Sequence, residues 1–324
     1  MRPTVRTFLA TALASCCLLT SCSLDGDSGH SVAAPARPAA LLDGEYVALG
    51  DSYTSGPDLP SQTGEPAGCA RSDHNYPALV AQALKFTGSR FHDQSCSGAT
   101  IADLSAPQST KDGTNPAQFS ALSTSTELVT LGIGGNDLGF STLISTCVQA
   151  GLLYFAMPEG SNFLGQAPCR NRYLAGASDS AFDDSSDGTE LEQKLRTTGT
   201  RLAAALLQIR LRAPLAKIYV IGYPAILSPG GSRCGHDMRL APGDVTFLDD
   251  LEQKLNATLR RQAEAADAGF VDTYTPSTGL GACSAPGRRW IEPLIPVEPA
   301  AAVHPNARGE RGMADAVLTL ARGN

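Results

Sequence analysis

Three apolar runs decide what this chain can become: Tyr46–Gly50 (YVALG), Glu127–Ile133 (ELVTLGI) and Lys217–Tyr223 (KIYVIGY). Each is nearly continuous rather than alternating, the pattern of a strand buried on both faces. Helical spacing separates them, over Tyr76–Leu84, Glu190–Arg212, Asp244–Ala268 and Ala307–Ala321, with shorter strands expected at Arg90–Ser95 and Phe270–Tyr274. Strands and helices in this alternation predict an α/β fold with a parallel sheet covered on both faces. The chain of 324 residues, 42% of them hydrophobic, can fill such a core. No internal repeat or second composition block divides residues 43–324, which read as one domain. Gly139–Gly188 reads as a long insertion, polar at its end, placed to form a lid or rim.

What precedes that domain reads as an export device. Arg2 and Arg6 flank an apolar stretch, Phe8–Leu19, too short to span a bilayer comfortably. The stretch closes on Leu19-Thr20-Ser21-Cys22, which resembles the bacterial lipobox. Residues 1–21 are thus expected to be a signal, with lipid on Cys22 anchoring the exported chain to the outer face of the membrane. An ordinary secretory signal is the alternative. Residues 22–42, small, polar and Pro-containing, read as a flexible tether. Six cysteines remain beyond Cys22: Cys69, Cys96, Cys147, Cys169, Cys234 and Cys283. An even number in an exported chain points to disulfides, although the spacing alone does not choose the pairing.

Several function classes drop out on composition and motif. A net charge of −7 with no Lys/Arg run leaves no basic stripe for nucleic acid. C-x-x-C and H-E-x-x-H are absent, so no metal is expected. Gly132-Ile133-Gly134-Gly135-Asn136-Asp137 begins like a dinucleotide fingerprint but has Asp137 where the last glycine belongs, so no cofactor is expected either.

Parallel sheets gather their ligands at the carboxyl ends of the strands. At those ends stand Gly50-Asp51-Ser52, Cys96-Ser97-Gly98 and Gly134-Gly135-Asn136-Asp137. Serine at such a turn becomes a nucleophile when a base takes its proton. His304, held non-helical by Pro305 and followed by Asn306 as the cap of the next helix, suits that base. Gly98 frees a backbone N–H and Asn136 adds an amide donor, the groups that an acyl-transfer oxyanion requires. Asp51 and Asp137 are expected to shape their turns. Trp290, the only tryptophan, is expected to pack in the core or at the rim.

These four blocks, in this order, resemble the SGNH (GDSL-type) hydrolases from about Tyr46 to Leu320. The resemblance implies a three-layer α/β/α sandwich and ester hydrolysis by serine acylation and deacylation. Ser52 would be the nucleophile, His304 the base, and Ser52, Gly98 and Asn136 the oxyanion donors. The segments GCARSDHNYP and VDTYTPS, with the six cysteines, are most similar to secreted actinobacterial lipases and esterases of this family. Their neighbour-to-neighbour disulfides would fall here at Cys69–Cys96, Cys147–Cys169 and Cys234–Cys283. One position departs from the common pattern: Ala301 stands three residues before His304, where an aspartate would orient the ring. The expectation is a Ser52–His304 dyad oriented by the main-chain carbonyl of Ala301 or a neighbour, with Glu292 or Glu298 as the alternative. An ester or lipid is the expected substrate of a monomeric enzyme. Carbohydrate O-deacetylation, or glycan or lipid binding without turnover, are the other readings.

Overall fold

The computed structural model describes residues 43–157, 165–174, 189–227 and 233–323. The signal over 1–21, the tether over 22–42 and Cys22 lie outside the described residues. Five parallel strands form the central sheet: β1 (Glu45–Gly50), β2 (Phe91–Asp93), β3 (Thr126–Gly132), β4 (Lys217–Ile221) and β5 (Gly269–Val271), in the order β2-β1-β3-β4-β5. The helices are α1 (Ser52–Ser55), α2 (Tyr76–Leu84), α3 (Gly135–Leu138), α4 (Phe140–Ala156), α5 (Pro168–Leu174), α6 (Glu190–Arg212), α7 (Cys234–Asp237), α8 (Pro242–Ala265), α9 (Tyr274–Ser277) and α10 (Ala307–Gly323).

Alternate residues of each strand serve two cores, as a period of two requires. Val47, Leu49, Val129, Leu131 and Val220 pack in the cluster that holds Leu202 and Leu206 of α6 and Leu255 and Leu259 of α8. Tyr46, Ala48, Leu128 and Ile221 face the other way, into the cluster of α2 and α10 with Tyr76, Val80, Met313 and Val317. Each fully buried leucine contributes about 1.5–3 kcal/mol. The result is the expected α/β/α sandwich. Strand succession runs one way from β1 to β2 and the other way from β3 to β5. The reversal at β1 and β3 makes the cleft beyond their carboxyl ends the place for a ligand.

Of the insertion, 158–164 and 175–188, its polar end included, lie outside the described residues. Its first part, 140–156, is the helix α4, whose Phe140, Leu143, Ile144 and Cys147 are buried in the main core. This part is a wall of the fold rather than a cover over it. Disulfides join Cys69–Cys96, Cys147–Cys169 and Cys234–Cys283, the pairing the resemblance implied. Such bonds persist in oxidising compartments, which places the chain outside the cytoplasm. No helix among the described residues is long and apolar enough to cross a membrane.

Candidate active site

Ser52 owes its position to the close approach of β1 and β3. Asp51 N–H donates to the Gly132 carbonyl at 2.9 Å, extending the strand pairing by one residue before the chain turns into α1. A side chain at Gly50 would bring its Cβ to 2.2 Å from Thr54 Oγ1 and 2.5 Å from Gly132 O, so only glycine fits. Buried Gln118 clamps the same residue from the side, accepting from Gly50 N–H at 2.8 Å and donating to its carbonyl at 2.9 Å. Asp51 Oδ1 then caps α1 by accepting from Tyr53 N–H at 2.9 Å. Ser52 is fixed at the start of that turn.

The second block is stitched to the first. Cys96 N–H donates to the Gly50 carbonyl at 3.0 Å, and Ser97 N–H to the carbonyl of Cys69, the disulfide partner of Cys96, at 3.0 Å. Gly98 follows with φ of +78°. Space there is open, the nearest atom to a built Cβ being 3.8 Å away, so it is the left-handed backbone that favours glycine. Asn136 of the third block donates through Nδ2 to the Ala99 carbonyl at 2.9 Å, which leaves its second amide hydrogen free. Beside it Asp137 Oδ2 accepts from Ile101 N–H at 2.9 Å. Asp137 thus ties two loops together, as a turn-shaping residue should.

His304 arrives from the far end of the chain. Ile291 and Pro305 form an isolated antiparallel bridge, Glu292 N–H donates to the His304 carbonyl at 2.9 Å, and Val303 N–H to the Glu292 carbonyl at 3.0 Å. Asn306 accepts from Arg308 and Gly309 N–H at the start of α10 and donates to Glu292 Oε1 at 2.7 Å. Clamped in this way, the half-buried imidazole presents Nε2 to Ser52 Oγ at 2.8 Å and Nδ1 to a carbonyl oxygen at 2.8 Å.

That carbonyl belongs to Ala302, which corrects the assignment to Ala301. The Ala301 carbonyl is taken up by His304's own N–H at 3.2 Å, closing a tight turn that aims the next carbonyl at the ring. A carbonyl only accepts, so Nδ1 carries the proton and Nε2 is the bare acceptor for the Ser52 hydroxyl. Burial lowers the pKa of His304 from its ordinary value, with the Ala302 carbonyl and the charge of Asp58 acting in the opposite direction.

Neither glutamate reaches the ring. Glu292 is fully buried, with Oε2 accepting from the N–H groups of Val297 and Glu298 at 2.8 and 3.2 Å, and Glu298 pairs with Arg308 at the surface. A partly exposed ion pair is worth about 0–1 kcal/mol. Glu298→Gln is therefore expected to keep kcat for ester hydrolysis within about threefold of the parent. A loss beyond tenfold would mean that Glu298, and not the carbonyl, orients the imidazole.

Ser52, His304 and Asn136 open into one cavity of about 320 Å³. Its walls are largely apolar, from Phe140, Ile144 and Val148 of α4 with Ile226, Leu255 and Leu294. Glu252 is part of this lining, and both its oxygens share the Ile226 N–H. Burial raises its pKa above the ordinary carboxylate value, with the Ile226 N–H acting in the opposite direction. Trp290 is not part of the lining; its ring lies against Gly312 of α10, where an added Cβ would come within 2.0 Å. Tyr53, Tyr223, Gln118 and Glu252 escaped the sequence reading. For Tyr223 one signal existed, its place just past the carboxyl end of β4.

Known proteins similar to this chain include lipases and esterases. The GDSL-like Lipase/Acylhydrolase family matches residues 48–311. Lipase 2 of Streptomyces coelicolor is 41% identical over 293 residues, 89% of this chain and 88% of that one. A lipase of Streptomyces rimosus is 31% identical over 300 residues, covering 92% and 93%. Among solved structures, phospholipase A1 of Streptomyces albidoflavus superposes with a TM-score of 0.66 at 28% identity, covering 85% of this chain and 98% of that one.

Proposed function

Because the chain belongs to the GDSL-like lipase/acylhydrolase family and is a carboxylic ester hydrolase, we propose that it cleaves acyl esters of lipids through an acyl-enzyme on Ser52. The observation that carries this reading is the 2.8 Å contact of Ser52 Oγ with His304 Nε2 in the lining of a largely apolar cavity. His304 removes the hydroxyl proton as Oγ attacks the ester carbonyl, then returns it to the leaving alcohol. A water activated by the same ring hydrolyses the acyl-enzyme. The carbonyl oxygen, negative in the tetrahedral intermediates, is received by the N–H groups of Ser52 and Gly98 and the free amide hydrogen of Asn136. Donors of this kind are worth about 3–4 kcal/mol each in the transition state.

The acyl chain lies along Phe140, Ile144 and Val148, whose apolar side chains favour hydrocarbon. Relatives named lipase and phospholipase A1 support a lipid ester as substrate. Residues 43–324 form the hydrolase domain, the signal ends at residue 21, and lipid on Cys22 holds the monomeric enzyme at the outer face of the membrane through the 22–42 tether.

Hydrolysis of p-nitrophenyl esters from acetate to palmitate tests the substrate. We expect turnover, with kcat/KM rising by about tenfold or more from acetate to medium and long chains, since each buried methylene contributes up to about 0.8 kcal/mol. Activity confined to acetate would favour carbohydrate O-deacetylation. No turnover of any ester would favour a binding protein.

A further inference from the structure

Four separate loops must agree in position for the proposed chemistry, and two tyrosine hydroxyls reach three of them. Tyr223 OH donates to Asp51 Oδ2 at 2.5 Å and accepts from Gly135 N–H at 2.8 Å. Tyr53 OH donates to the Val303 carbonyl at 2.6 Å. Asp51 immediately precedes Ser52, Gly135 precedes Asn136, and Val303 precedes His304. Ser52, Asn136 and His304 therefore each have their predecessor in the chain held by a tyrosine hydroxyl, while the Gly98 loop is held by the Ser97 N–H on the Cys69 carbonyl instead. The rings themselves are in contact, edge to face with centroids 5.2 Å apart, and Tyr53 lies 5.0 Å from the His304 ring.

We propose that Tyr53 and Tyr223 act as one positioning unit, setting the mutual placement of Ser52, Asn136 and His304. The Val303 backbone shows what the unit works against. Its φ is +61°, a left-handed conformation that a β-branched side chain disfavours, so it persists only where the surroundings impose it. The Tyr53 hydroxyl grips the carbonyl of that same residue. Relaxation of Val303 would rotate the peptide that leads into the imidazole. On the opposite side, the Tyr223 hydroxyl spans the loops after β1 and β3, so loss of its oxygen would free Ser52 and Asn136 to drift apart. Misplacement of reacting groups by an ångström can cost about 10²-fold in rate. Two tyrosines that merely filled space would affect stability without a selective effect on turnover.

This inference rests on the Ser52–His304 reading, and its test separates the two. Tyr53→Phe, Tyr223→Phe and the double variant would be compared in the whole chain with p-nitrophenyl butyrate, using p-nitrophenyl phosphonate to count reactive serines. Per titrated serine, each single variant is expected to lose about 10- to 100-fold in kcat with KM within threefold, because the lost alignment matters in the transition state. The double variant is expected to fall close to the worse single one, since residues acting as a unit are not additive. A kcat within twofold of the parent in both single variants overturns the proposal, as does a loss confined to KM or a double loss equal to the product. If one variant fails to fold, the other alone decides by the same kcat and KM limits. Turnover that survives Ser52→Ala would instead remove the dyad reading itself.

Discussion

Ser52→Ala is expected to lower kcat for p-nitrophenyl ester hydrolysis by about 10⁵- to 10⁶-fold, the scale seen when a serine hydrolase loses its nucleophile. The hydroxyl's hydrogen bond runs to His304 Nε2, and the backbone around it is held independently by Gly132, Gln118 and Asp51. The fold should therefore tolerate the change at a cost of about 1 kcal/mol. Thermal unfolding and phosphonate titration, measured beside turnover, should show a folded protein with no reactive serine. Retention of more than a few per cent of the activity would place the nucleophile elsewhere.

His304→Ala is the second large effect, about 10⁴- to 10⁶-fold in kcat, with the Ser52→Ala/His304→Ala double variant no worse than either single one. The same residue predicts a pH profile. A general base works only when neutral, so activity is present above the His304 pKa and is lost as pH falls through it. Burial lowers that pKa from its ordinary 6.5, so the acid limb of kcat/KM is expected below 6.5. Asp51, pushed up to about 7 by burial, titrates nearby, and the limb that remains in Asp51→Asn belongs to His304. A remaining midpoint above 6.5 would mean that the ring has an anionic partner rather than the Ala302 carbonyl. Fixing the tautomer is within a carbonyl's reach. Stabilising the imidazolium as a carboxylate does is not, which fits the lowered pKa of this ring.

The expected site blocks were legible because each is a local demand written in adjacent residues. Gly50 makes room for the turn, Asp51 caps it, and Ser52 follows; Pro305 and Asn306 frame His304 in the same way. The orienting carbonyl could be placed only at Ala301 or a neighbour because a main-chain oxygen has no side chain to announce it, and only the turn from Ala301 to His304 selects Ala302. Helix α4 was missed for a related reason. Its stretch FSTLISTCVQAGLLYFA mixes serine, threonine and glycine into the apolar period, and its helical state is secured by burial of Leu143, Ile144 and Cys147 against the core.

Continuous apolar strands, spaced helices and turn residues at strand ends are short-range properties, so the sequence by itself determined the parallel α/β sheet, the carboxyl-end location of the site and the identities of Ser52, Gly98, Asn136 and His304 as its candidates. Tertiary structure alone decided what those residues touch. Gln118 reaches Gly50 across 68 residues, Tyr223 reaches Asp51 across 172, and Tyr53 reaches Val303 across 250. Contacts over such separations depend on how the sheet and helices pack, and packing distributes its demands among residues that carry no mark of them in their own neighbourhood.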